Sequence, residues 1–195
     1  MAWAKLGSNT LTVTTDPITL DSFTGTKFNV VLSHDIPTTT RIQPALRPNN
    51  DTGSNYSFRY SGNGGTDATA TAQNHLRWGA GTAVNQEFVI GYMINIATEE
   101  KLSISFCNYS TATGAGTAPS RQENVGKWVN TSDLITSYSD KNGDTGDYGG
   151  YASDSNLTAL GSDGVESLNV QDGAVFYEKD TNKSYILYNS TWSEL

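Results

Sequence analysis

Cysteine is almost missing from this sequence: Cys107 is the single thiol in 195 residues. No intramolecular disulfide can form, so nothing here demands an oxidising compartment. Cys107 follows Phe106 in an alternating apolar run, where a packed, inert thiol is the ordinary state. Charge is scarce as well. Only 16% of residues are charged and 36% are apolar, the difference being made up by Thr, Ser, Asn and Gly. Low hydrophobicity accompanies disorder when charge is high and rings are few. Here aromatic residues reach 10%, with 10 Tyr and 4 Trp, which fits half-buried strands joined by polar loops. Lys and Arg nowhere cluster and the net charge is −8. A nucleic-acid partner is therefore not expected. No apolar run approaches the length of a membrane span, so no membrane partner is expected either. The N-terminal Met-Ala-Trp-Ala-Lys-Leu-Gly-Ser lacks the apolar core of a signal peptide, which predicts synthesis in the cytoplasm without secretion. Sequons at Asn50, Asn55, Asn108 and Asn130 carry little weight in so Asn- and Thr-rich a chain.

What the chain has is alternation. Leu11 and Val13 predict a first short strand. Phe28, Val30 and Leu32 share one face of the next, with Asn29 and Ser33 opposite. Tyr56, Phe58 and Tyr60 alternate with Ser57 and Arg59. The longest run is Phe88, Ile90, Tyr92, Ile94 and Ile96, followed after Ala97–Lys101 by Leu102, Ile104 and Phe106. These two runs predict a hairpin. Further strands are expected near 127–129, 134–138 and 156–160. Turn-rich stretches lie at 48–54, 61–66, 113–119 and 140–150, and 68–76 is the only stretch with fair helix content. Many short strands between Gly- and Asn-rich turns predict an all-β protein, a jelly-roll-like β-sandwich over residues 1–162. A small C-terminal β-hairpin module is expected over 163–195. There Gly173–Glu178 and Ser184–Tyr188 are joined by a turn-type sequence, and Trp192 is placed to fold back over them. Two strands alone are marginal in water.

Four patterns suggest chemistry. Asp51-Thr52-Gly53-Ser54 matches the loop of aspartic proteases, where two carboxyls share a proton. That chemistry needs the Asp to end a buried apolar strand, whereas polar Arg47-Pro48-Asn49-Asn50 precedes it here. The second Asp-Thr-Gly, at 144–146, lies in an equally polar stretch. His34 and His75 are the only histidines. His34 and Asp35 are adjacent on a strand and so point to opposite faces, which excludes a dyad. Asp140, Asn142, Asp144 and Asp147 place oxygen ligands at intervals around glycines. Calcium is thus a candidate ligand, with a solvated turn as the alternative, and no EF-hand is formed because the bidentate Glu is missing. Trp3, Trp78, Trp128 and Trp192, with the tyrosines, suggest either a sugar-stacking platform or core and interface rings. No catalytic residues and no cofactor besides calcium are expected, and the chain is predicted not to be an enzyme.

Three segments carry a resemblance. They are Asn49-Asn50-Asp51-Thr52-Gly53-Ser54-Asn55-Tyr56-Ser57-Phe58-Arg59-Tyr60, Gly116-Thr117-Ala118-Pro119-Ser120-Arg121-Gln122-Glu123, and Val125-Gly126-Lys127-Trp128. Together they resemble proteins encoded by tailed phages and environmental viral genomes that carry a jelly-roll-like domain. The C-terminal Gly173-x-x-Phe176-Tyr177-Glu178-x-Asp180-Thr181-Asn182-Lys183-x-Tyr185 and Trp192-Ser193-Glu194-Leu195 resemble short modules of phage fibre and virion surface proteins. The resemblance implies a virion-surface protein made in the host cytoplasm, either a capsid decoration or a small head or tail appendage. It implies a homotrimer that contacts the major capsid protein or other virion proteins. It supplies no catalytic residues. Trp3, Trp128, Tyr177, Tyr185 and Trp192 are the expected oligomer or capsid interface. A host-surface glycan is the alternative partner, in which case the chain would be an adhesin at a tail tip or fibre. The sequence has no fibrous repeat or heptad shaft, which argues against a complete tail fibre.

Overall fold

A computed structural model describes residues 3–39, 41–83, 85–143, 149–164, 173–189 and 191–195. Among the described residues there is no helix, and 17 strands follow one another. They are β1 Ala4–Thr10, β2 Ile18–Leu20, β3 Phe28–Asp35, β4 Arg41–Ile42, β5 Pro44–Pro48, β6 Tyr56–Gly62, β7 Ala68–Gln73, β8 Leu76–Arg77, β9 Thr82–Ala83, β10 Gln86–Ile94, β11 Lys101–Ser110, β12 Ser120–Trp128, β13 Tyr138–Asn142, β14 Asn156–Ser162, β15 Val175–Glu178, β16 Lys183–Tyr188 and β17 Thr191–Glu194. The chain divides into two compact units, Trp3–Gly164 and a C-terminal unit that begins at Val165.

The larger unit is an antiparallel β-sandwich. Its main sheet has eight strands in the order β1-β14-β3-β10-β11-β12-β6-β7, and its second sheet has four, β2-β13-β5-β8. The all-β sandwich is as expected. The eight- and four-stranded sheets define a sandwich, the coarser part of that expectation. The core lies between the sheets. Ile18, Leu20, Leu46, Leu76 and Tyr138 from the smaller sheet meet Val31, Tyr56, Val89, Met93, Trp128, Leu157 and Ala159 from the larger. The predicted hairpin is present as β10 and β11, with Ile90 opposite Phe106 and Tyr92 opposite Ile104.

Several local expectations change. Residues 68–73 form strand β7 against β6 rather than a helix. Ala and Thr alternate there, and the edge of β6 supplies hydrogen bonds that outweigh a weak helical propensity. The first strand is Ala4–Thr10, ending before Leu11, and it pairs with β14 from the far end of the unit. Tyr138 begins a strand instead of ending one, because 138–142 pairs with both β2 and β5.

The segment Trp78-Gly79-Ala80 runs inside the sandwich without joining a strand. Its backbone groups therefore need partners away from water. Trp78 N–H donates to Pro44 O (3.0 Å). The Trp78 carbonyl accepts from Ser105 Oγ (2.8 Å) and Asn124 Nδ2 (3.0 Å), and the Gly79 carbonyl from Gln122 Nε2 (2.9 Å). Ala80 N–H donates to Glu87 Oε1 (2.6 Å). The Trp78 indole lies over Gly91 of β10, where a Cβ would overlap its six-membered ring.

In the C-terminal unit β15, β16 and β17 form a three-stranded antiparallel sheet. Trp192 folds back as expected, opposite Leu187. Phe176 stacks on Tyr185 (centroids 5.1 Å) and meets Trp192 edge-on (5.0 Å). The added strand extends the expected hairpin towards the size at which small sheets become stable.

Gly91→Ala is expected to lower stability by about 1–3 kcal/mol through overpacking against Trp78. Thermal melts followed by near-UV circular dichroism measure the loss, and a simultaneous Trp78→Leu should recover part of it.

Candidate functional site

The inner face of the large sheet is unusually polar. From β3 it carries Asn29, Ser33 and Asp35, from β11 Lys101, Ser103 and Ser105, from β12 Gln122 and Asn124, and from β10 Glu87, all buried. Lys101 Nζ is held by the carbonyls of Asn130 (2.7 Å) and Ala97 (3.1 Å).

The outer face is the reverse. Phe88, Tyr92 and Ile94 of β10, Leu102, Ile104 and Phe106 of β11 and Val125 of β12 are all exposed, from 37% at Ile94 to 53% at Leu102. Ile90 and Leu32, half-buried, lie in the row of Phe106. Register places these side chains together: Val30, Tyr92, Ile104 and Val125 form one row across four strands. A full side chain of this kind offers roughly 150–200 Å² and about half of each is exposed, so the seven present on the order of 600 Å². That is the upper end of what a monomer leaves uncovered, about 300–600 Å².

The expected site residues separate. Trp128 is not an interface residue: it is 1% exposed, stacks on Tyr56 (6.3 Å) and donates Nε1–H to Asp51 Oδ2 (2.7 Å). As the last residue of β12 it alternates inward with Gln122 and Asn124. Trp3, Tyr177 and Trp192 are exposed and Tyr185 is half-buried. The calcium set also changes. Asp140 and Asn142 lie in β13, where spacing by two puts both side chains on one buried face. Asp140 Oδ1 accepts from Ala45 N–H and the Tyr151 hydroxyl, each at 3.1 Å. Asn142 Oδ1 accepts from Gln43 N–H (2.8 Å) and its amide donates towards the Arg41 carbonyl (3.5 Å). Both are thus committed to the fold. Asp144 and Asp147 lie outside the described residues, and among the described residues no group of three or more His, Cys, Asp or Glu is placed to hold a metal ion.

Asp51 is a structural tie. Its carboxylate accepts from Gly53 N–H (2.7 Å), Asn55 Nδ2 (2.9 Å) and the Trp128 indole. Partial burial pushes its pKa up, but the bonds from Asn55, Trp128 and Gly53 prevail and hold it below the usual carboxylate range. The second Asp-Thr-Gly lies outside the described residues. His75 is buried beside Phe58. His34 meets Gln86 (3.3 Å) at the rim of a cleft of about 270 Å³, which Glu87, Phe88, Tyr109 and Pro119 also line.

A group the residue pattern did not single out is a set of buried carboxyls, Asp35, Glu87 and Asp140. Desolvation pushes all three up. The charges of Asp140 and Glu87 add to it at Asp35, and the Glu87 charge adds to it at Asp140. Glu87 is pushed up to about 7 by burial, against the Cys107 and Ala80 hydrogen bonds. Asp140 stood out in the sequence only as a calcium candidate and Asp35 only beside His34; their grouping with Glu87 was hidden because each sits alone in its strand, and only pairing of β3 with β10 and packing of β13 over them brings their charges within reach.

Compared with protein-family models, with curated proteins and with solved structures, the chain has no match.

Because the folded pKa of Glu87 is raised, its contribution to stability is full below the ordinary value of 4.5 and is lost as pH rises through about 7. The protein is expected to melt higher at pH 5 than at pH 8. Glu87→Gln keeps an acceptor for Ala80 and removes the titration. It should reduce that dependence, leaving the part carried by Asp35 and Asp140, and raise the melting temperature at pH 8 by about 2–4 °C or more, as scanning calorimetry across the pH range would measure.

Proposed function

We propose that this chain is a non-catalytic structural protein of a tailed-phage-like virion, displayed on the particle as a capsid decoration or a small head or tail appendage. The observation that carries the structural role is the outward apolar face of β10, β11 and β12. A chain that spends Phe88, Tyr92, Ile104 and Phe106 on its outside while burying Ser103, Ser105, Gln122 and Asn124 is organised to be covered by protein. The virion setting is supported by the sequence segments that resemble phage virion proteins. Contacts of modest strength, multiplied by the symmetry of a particle, fix such a protein without any active site.

A glycan-binding adhesin is the second reading. It is favoured by the exposed Tyr177, Tyr188 and Trp192 of the C-terminal sheet, whose rings suit stacking on sugars.

Quantitative mass spectrometry of purified particles tests the first reading. This chain is expected at a fixed ratio to the major capsid protein: a comparable copy number means a head decoration, and a few tens or fewer a tail or vertex appendage. Absence from clean particles, with retention on a glycan array that Trp192→Ala abolishes, would replace it with the adhesin reading.

A further inference from the structure

The outward side chains of β10 run Phe88, Ile90, Tyr92, Ile94. Those facing them on β11 run Asn108, Phe106, Ile104 and, extending the register, Leu102. Aromatic and aliphatic positions therefore alternate along β10 and across the central pairs, Ile90 opposite Phe106 and Tyr92 opposite Ile104. This pattern is its own complement. A two-fold axis lying in the face, along the strands between β10 and β11, lays Ile90 of one copy over Phe106 of another and Tyr92 over Ile104. An axis across the strands, between those two rows, lays Ile90 over Tyr92 and Ile104 over Phe106. In both cases a ring meets a smaller branched chain, which is how facing layers interdigitate. Such self-complementarity is what an isologous interface requires.

Charge and area agree. The outward rows of β3, β10 and β11 contain no Asp, Glu, Lys or Arg. With the axis across the strands each of these strands lies over itself, so two chains of net charge −8 can join there without burying a charge; with the axis along the strands, β3 would lie over β12 and meet its Glu123 and Lys127. Charged side chains stand at the β12 border, where Glu123 lies opposite Phe106, Lys127 pairs with Glu100 (2.8 Å) and Arg59 with Asp67 (3.1 Å). The six exposed apolar residues of β10 and β11 offer on the order of 500 Å² per copy before the half-buried Ile90, Leu32 and Phe28 are added, which approaches the roughly 800 Å² per partner of a standard specific interface.

We propose that two copies of this chain pack face to face through the outward side of β3, β10 and β11, with Ile90, Tyr92, Ile104 and Phe106 at the centre of a two-fold interface. This rests on the assembly reading above, names a second copy as the first partner of the apolar face, and puts a two-fold contact in place of the homotrimer that the sequence resemblance implies.

Sedimentation velocity of the full chain over a wide concentration range is the test. A dimer is expected. Phe106→Glu should weaken association by about tenfold or more, as removing one central interface anchor does. Val13→Glu, an exposed apolar position outside β3, β10 and β11, should leave the dimer unchanged. Should Phe106→Glu lose cooperative unfolding, Ile104→Thr keeps a β-branched residue in the strand and is expected to weaken the dimer without unfolding the chain. A wild-type monomer at every concentration overturns the proposal. So does a trimer, or a dimer that both substitutions leave intact. A chain that is monomeric in solution yet found on purified particles would refute the two-fold contact while the virion reading stood.

Discussion

The arrangement of the sandwich depends on hydrogen bonding to one stretch of backbone, Trp78-Gly79-Ala80. A chain segment that crosses the inside of a sandwich brings amide groups into a place without water, and each must be satisfied. Here the neighbouring strands do this with side chains. Ser105 and Asn124 converge on one carbonyl, Gln122 takes the next, and Glu87 accepts the following N–H. Asn124 is itself positioned by Gln122 Nε2 (2.6 Å) and by Ser105 Oγ (3.0 Å), so the network is connected rather than a set of separate pairs. The indole that the segment carries fills the space left by Gly91. Removing the segment would take from Ser105, Asn124, Gln122 and Glu87 the backbone groups that their remaining hydrogen-bonding capacity serves.

The consequence reaches the surface. Successive residues on a strand point to opposite sides. Once Ser103, Ser105 and Cys107 of β11 face inward, Leu102, Ile104 and Phe106 have to face outward. The same holds on β10, where Glu87 and Gly91 serve the internal segment and Phe88, Ile90 and Tyr92 are left on the other side. The polar interior and the apolar exterior are therefore one structural fact. A register slip of one residue would bury the apolar row and expose the polar one, but it would also strip the internal segment of its partners. The buried carboxyls belong to the same compromise: Glu87 sits where Ala80 needs an acceptor, and that bond offsets part of the desolvation that pushes its pKa up.

Much of this was legible in the sequence. The β10–β11 pairing followed from two alternating runs with a short polar break, and the C-terminal sheet from aromatic runs around Lys179–Lys183. Which side of each strand would be inside was not legible. Alternation defines two faces without labelling them, and hydrophobicity, the usual label, points the wrong way on β11. Ala68–Gln73 looked weakly helical because Ala and Thr reveal little without the β6 edge beside them. Asp140 and Asn142 looked like loop ligands because their neighbours include glycines, while strands β2 and β5, distant in sequence, claim them for the second sheet. Trp128 looked like an interface ring. Its commitment to the core rests on Tyr56 and on Asp51, 77 residues away.

A protein that works through area leaves a different trace in its sequence from one that works through chemistry. A catalytic site needs particular atoms at particular distances, and its residues stand out as motifs. A packing face needs only side chains of suitable size on one side of a sheet, and these resemble a core. The informative residues are then the ones opposite. Ser103, Ser105, Gln122 and Asn124 are poor choices for a buried face unless something polar lies against them, and Ile104 and Phe106 are poor choices for a wet face unless something apolar does. In this fold the first condition is met within the chain, by the backbone of Trp78–Ala80. The second would be met by the proposed two-fold contact, in which the ring-and-branch alternation of Ile90, Tyr92, Ile104 and Phe106 faces its own copy.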